Sequence, residues 1–102
     1  MNNRVELARE FAETINSKDI ELIILFGSVA RGDDTPDSDI DILIVSPIVH
    51  QIRKEINRIV AEIVVDKQEL ISTHLMTVKH FNETKDYPFL SNVLNEGVIL
   101  VG

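Results

Sequence analysis

Leu25-Phe26-Gly27-Ser28-Val29-Ala30-Arg31-Gly32-Asp33-Asp34-Thr35-Pro36-Asp37-Ser38-Asp39-Ile40-Asp41-Ile42-Leu43-Ile44-Val45 is the stretch on which the reading of this chain turns. Ten residues separate Gly27-Ser28 from Asp39-Ile40-Asp41. Residues 39–45 read as a strand, and alternate strand side chains share a face. Asp39 and Asp41 then stand roughly 7 Å apart on one face, at about 3.3 Å of rise per residue. Ile40 and Ile42 point the other way, into apolar packing. Two anions this close repel, and aspartate is a poor strand former. A divalent cation removes the repulsion, and Mg²⁺ takes hard oxygen ligands from one or two carboxylates together with substrate phosphates.

The other half of the stretch complements that pair. Glu21-Leu22-Ile23-Ile24-Leu25-Phe26 is a buried-strand run that stops at Gly27-Ser28, and Val29-Ala30-Arg31 reads as the first turn of a short helix ended by Gly32. Gly27 lets backbone approach a ligand closely. Exposed N–H groups at a helix start attract anions. Ser28 adds a hydroxyl and Arg31 a cation. Each piece alone has a plain structural explanation: a turn, a solvated strand end, a polar loop over 32–38. In strand–turn–strand order they point to a nucleotide triphosphate held beside metal ions.

This combination, with Ala30-Arg31-Gly32 after the serine and Ser38 before the aspartates, resembles the DNA polymerase beta-type nucleotidyltransferase superfamily. The size and element order are most similar to the minimal nucleotidyltransferases of prokaryotes, small proteins often encoded beside a helical HEPN-domain partner. The resemblance implies a single domain over 1–102, an α/β fold whose mixed sheet carries helices mainly on one side. It implies that Gly27 and Ser28 hold the nucleotide phosphates, with Arg31 and Ser38 as further contacts. It implies that Asp39 and Asp41 bind two Mg²⁺ ions. A third carboxylate is expected on a neighbouring strand. Within Ala61-Glu62-Ile63-Val64-Val65-Asp66, Glu62 is the first choice as ligand and base, with Asp66 the alternative. Glutamate there departs from the family's usual aspartate.

The implied activity is transfer of AMP from ATP to a hydroxyl of a partner protein, the partner being a HEPN-type ribonuclease toxin that this antitoxin silences. Two other readings stand beside it. One is a nucleotide-binding antitoxin that blocks its partner sterically, and the other is a transferase acting on a small hydroxylated molecule. A chain of 102 residues has no room for a separate acceptor domain, so the acceptor site is expected to be completed by another polypeptide or a dimer.

Composition narrows the classes. There are no cysteines, which excludes disulfides and thiolate chemistry. Neither a signal peptide nor an apolar run of about 18 residues is visible, and a cytoplasmic protein is expected. Net charge is −7, from 17 acidic and 10 basic residues, and no basic patch speaks for nucleic acid. His50, His74 and His80 share no metal-ligand spacing and read as surface histidines.

The remaining elements follow from periodicity. Val5, Ala8, Phe11, Ala12 and Ile15 predict a helix over 3–16, and Val49, Ile52, Ile56, Ile59, Val60 and Ile63 mark a second. A strand is predicted over roughly 62–66, then a helix from Lys67 to about His80. Asp86-Tyr87-Pro88 starts a last helix, which Gly97 ends. Val98-Ile99-Leu100-Val101 reads as a final strand or a docking tail.

Overall fold

The two central strands are almost wholly apolar because both of their faces are covered. The computed structural model describes residues 3–102; Met1 and Asn2, at the start of the expected domain, lie outside the described residues. The elements run α1 (Asn3–Ile15), β1 (Leu22–Phe26), α2 (Gly27–Arg31), β2 (Ile40–Val45), α3 (Val49–Lys67), β3 (Ile71–Met76), α4 (Val78–Thr84), α5 (Pro88–Glu96) and β4 (Val98–Val101). The sheet order is β3-β2-β1-β4. β1 is antiparallel to both β2 and β4, whereas β2 and β3 are parallel. The fold is thus α/β with a mixed sheet.

Alternation along the strands sorts the core into two halves. Ile23, Leu25, Ile40, Ile42 and Ile44 pack against Ala8, Phe11 and Ala12 of α1 and Ile56 of α3. Ile24, Leu43 and Val45 pack on the other face against Leu90 and Val93 of α5, with Met76, Val78 and Phe81 at the margin. The long helices α1 and α3 therefore take one side. Asp41, Leu43 and Val45 alternate onto the face that the shorter α4 and α5 cover. No helix among the described residues is long and apolar enough to cross a membrane.

Most predicted elements appear where the periodicity puts them, including α5 with Pro88 in its first turn. Residues 98–101 form a strand, paired with β1. One region differs. The strand expected over 62–66 is the end of α3, and the helix expected from Lys67 to His80 contains β3. Between Val60 and Lys67 no glycine or proline interrupts the helical stripe, so the β-branched run stays helical; Val65 is 79% exposed, as no central strand residue could be. The helix stops only at Gln68, whose φ of 56° is left-handed. A parallel neighbour for β2 needs a long crossover, and α3, about 28 Å at roughly 1.5 Å per residue, returns the chain to the start of β2. Pairing of Ile71–Met76 with Ile40–Val45 then outweighs the helical spacing of Leu70, Ile71, Leu75 and Met76.

Ser46 ties the end of β2 to the entry of β1. Fully buried, it donates from Oγ to the Asp19 carbonyl (2.6 Å) and accepts from the Ile48 N–H (3.2 Å). Ser46→Ala strips both bonds from backbone groups, which costs about 1–3 kcal/mol when a buried partner is left unmade. Urea denaturation is expected to show that loss as a lower midpoint with an unchanged slope.

Candidate active site

Gly27 carries a φ of +76°, and a Cβ built there would run into the Asp41 carboxylate, lying only 3.3 Å from its Cγ. Glycine is needed twice over, for the backbone conformation and for the close approach. The cause lies in the ladder: Phe26 pairs with Asp41 at the last rung of β1 and β2, so the next residue turns directly over that carboxylate. Val29, buried, anchors α2 beneath the turn. Gly32, at φ 80°, then releases the chain, with its N–H donating to the Val29 carbonyl (3.3 Å) and the Asp33 N–H to that of Ser28 (3.0 Å). The structure thus brings together Gly27, Ser28, Asp39 and Asp41.

Asp39 is exposed and lies one residue before β2, while Asp41 is half-buried within it. Between them Ile40 is fully buried, and its N–H donates to the Leu70 carbonyl (2.9 Å). Burial pushes the Asp41 carboxyl above its usual value of 3.8; His74 opposes this, Asp39 adds to it, and Arg31 opposes it. The carboxylate is therefore held in a place that disfavours its charge. Arg31 is committed to neighbours, with Nε 3.2 Å from Asp33 and Nη1 3.4 Å from Glu96. These hydrogen-bonded carboxylates, Asp33 first, raise its pKa above the usual guanidinium value. It lines a cleft of about 420 Å³ with Phe26, Gly27, Phe89 and Asn92. Ser38 spends its hydroxyl on the loop, accepting the Thr35 N–H at 2.9 Å, and its own N–H donates to the Thr35 carbonyl (3.0 Å).

Glu62 and Asp66 are elsewhere. Because residues 62–66 are helical, both sit on α3, where they line a groove against Leu7 and Thr14 of α1. Glu62 is exposed and ion-paired with Arg58. What the neighbouring strand brings to the pair instead is His74, expected above as a surface residue. Its Nε2 lies 3.9 Å from Asp41 Oδ1. Its ring meets Phe26 edge-on at 5.1 Å and Phe89 at 5.7 Å. The signal was latent in the parallel register: once β3 is Ile71–Met76, Leu43 pairs with His74, which then shares the face of Asp41.

Among the described residues no three His, Cys, Asp or Glu side chains gather tightly enough to hold an ion by themselves. Two aspartates on one face do fit a hard cation whose remaining ligands are substrate oxygens, since the cation offsets both their repulsion and the burial of Asp41.

Known proteins share this arrangement's frame. The family described as "Nucleotidyltransferase domain" matches residues 6–100. A protein of Methanocaldococcus jannaschii named "Putative protein adenylyltransferase" is 35% identical over 101 residues, covering 96% of this chain and 98% of that one. Crystal structures show the same fold. A "putative nucleotidyltransferase" from Sulfolobus solfataricus superposes with a TM-score of 0.61 at 22% identity, over 95% of this chain and 78% of its own. A toxin–antitoxin structure with AMP-PNP gives 0.57 at 20% identity, over 98% and 72%. A mutant of the MntA–HpeT toxin–antitoxin gives 0.57 at 18%, over 100% and 74%. With the family match running from the first helix to the last strand, the chain belongs to the nucleotidyltransferase domain family and is a nucleotidyltransferase.

Proposed function

We propose that this chain moves AMP from ATP onto a hydroxyl of a partner protein, acting in the cytoplasm as the antitoxin of a HEPN-type ribonuclease toxin. The observation that carries the reading is the Asp41 carboxylate packed on Gly27 at the end of the β1–β2 ladder, which leaves a nucleotide's phosphates and the paired carboxylates no distance to bridge. The adenylyltransferase name of the relative and the toxin–antitoxin neighbours, one with AMP-PNP, support the nucleotide and the kind of partner.

In this reading the Gly27 and Ser28 N–H groups and the Ser28 hydroxyl hold phosphate oxygens. Arg31 reaches the triphosphate by exchanging Asp33 or Glu96 for it. Asp39 and Asp41 hold two Mg²⁺ ions, which when bound activate the acceptor hydroxyl and stabilise charge on the departing pyrophosphate. His74, rather than Glu62 or Asp66, takes the acceptor proton. The hydroxyl oxygen bonds to the α-phosphorus as the bond to pyrophosphate breaks.

One finding favours a second reading. β3 supplies no carboxylate to the pair, so a binding antitoxin that caps its partner without chemistry fits the same geometry. Intact-mass spectrometry of the protein encoded beside this one, co-expressed with it, separates the two. The transferase adds AMP units to the partner, and Asp39→Ala/Asp41→Ala loses at least about a hundredfold of that rate. A stable complex without any mass gain assigns the steric role instead.

Asp41→Asn is expected to stabilise the metal-free protein at pH 7 while abolishing transfer. The folded chain holds the Asp41 proton more tightly than the unfolded chain, so the wild-type penalty is absent below the unfolded pKa of 3.8 and grows as pH rises through the folded value. Thermal melts of both proteins across pH show the gain at neutrality and its disappearance below about pH 3.8. A destabilised Asp41→Asn at pH 7 would mark the carboxylate as structural.

A further inference from the structure

Arg4, in the first turn of α1, makes a contact for each of its five guanidinium N–H groups. Nε donates to Glu69 Oε2 (2.7 Å), and Nη2 lies 3.4 Å from Oε1 of the same carboxylate. Nη1 donates to Asp34 Oδ2 (3.1 Å) and to the Thr35 carbonyl (2.6 Å), and Nη2 to the Pro36 carbonyl (2.9 Å). The side chain is only 13% exposed, so these are not the loose surface pairs that contribute little. The two segments it grips converge on adjacent residues, Asp39 and Ile40. The 34–36 loop runs through the Thr35–Ser38 turn into Asp39, and Glu69 precedes Leu70, whose carbonyl accepts the Ile40 N–H.

We propose that Arg4 is a positioning residue for the nucleotide site: its planar fork locks the 34–36 loop to the start of β3 and so fixes Asp39 and Ile40 beside Gly27. A half-buried arginine is spent here on two backbone carbonyls and two carboxylates of separate segments. Lysine replaces it only in part, because a point charge cannot hold both segments in one plane. The proposal rests on the reading of Asp39 as a nucleotide–metal contact.

The test is a double-mutant cycle read as the affinity for AMP-PNP with Mg²⁺, by calorimetry well below the melting temperature. Hydrogen exchange of the nucleotide-free proteins is followed in parallel. Arg4→Ala is expected to weaken binding at least about fivefold, with Arg4→Lys only a partial rescue, and to do almost nothing in an Asp39→Asn background. The amides of Thr35, Ser38 and Ile40 are expected to lose protection in Arg4→Ala. Unchanged affinity despite a lower melting temperature overturns the proposal, as does an equal loss in the Asp39→Asn background. If Arg4→Ala does not fold, Glu69→Gln and Arg4→Lys carry the same comparison. A wild-type protein that binds no AMP-PNP overturns the nucleotide reading itself, and with it this role, whereas binding with an additive cycle overturns only the role of Arg4.

Discussion

Asp41 stands over Gly27 with no room for a side chain between them, and much of the molecule exists to keep it there. The contact is set by the β1–β2 register, in which Phe26 faces Asp41 and every rung back to Leu22 is apolar. A slip of one residue would turn the carboxylate into the core and an isoleucine onto the glycine. Such a slip is prevented by Ile40, Ile42 and Ile44, all fully buried against α1 and α3. The hydrophobic core thus specifies the site through its phase. The residues with no polar function decide where the polar ones point.

That arrangement holds charge under tension. Asp41 sits where burial disfavours ionisation, with Asp39 two residues away on the same face. A fold optimised for stability alone would place an uncharged residue at position 41. The neighbouring side chains do not remove the tension. Arg31 is already engaged by Asp33 and Glu96, and His74 is 3.9 Å away.

How much of this was legible in the sequence depended on whether local pattern or long-range pairing decides each element. The strand, glycine–serine turn and second strand could be read because buried apolar runs, a positive-φ glycine and alternating aspartates all act within a few residues. The same holds for α1 and α5. The stretch from Ala61 to Met76 could not be read this way. Glu62-Ile63-Val64-Val65 has strand composition inside a helix, and Leu70 to Met76 carries a partial helical spacing inside a strand. Both were decided by the parallel pairing of β3 with β2, which no short window contains. The misplacement carried Glu62 and Asp66 into the expected site and left His74 out of it. A single error in an element boundary therefore changed which side chains were expected beside Asp41.

The identity of the residue on β3 bears on how the site would gather its ligands. A third carboxylate would let a protein hold cations before substrate arrives. Here the strand offers Ser72 opposite Asp41 and His74 opposite Leu43, and an imidazole suits Mg²⁺ poorly. With only two carboxylates, one of them exposed, a hard cation held there would take its remaining oxygen ligands from substrate and water. His74 packs between Phe26 and Phe89 at the open edge of the sheet, where α5 leaves Phe89 half exposed. The β2–β3 register, by setting an imidazole beside Asp41 rather than a carboxylate, thus limits the oxygens that the chain itself offers there.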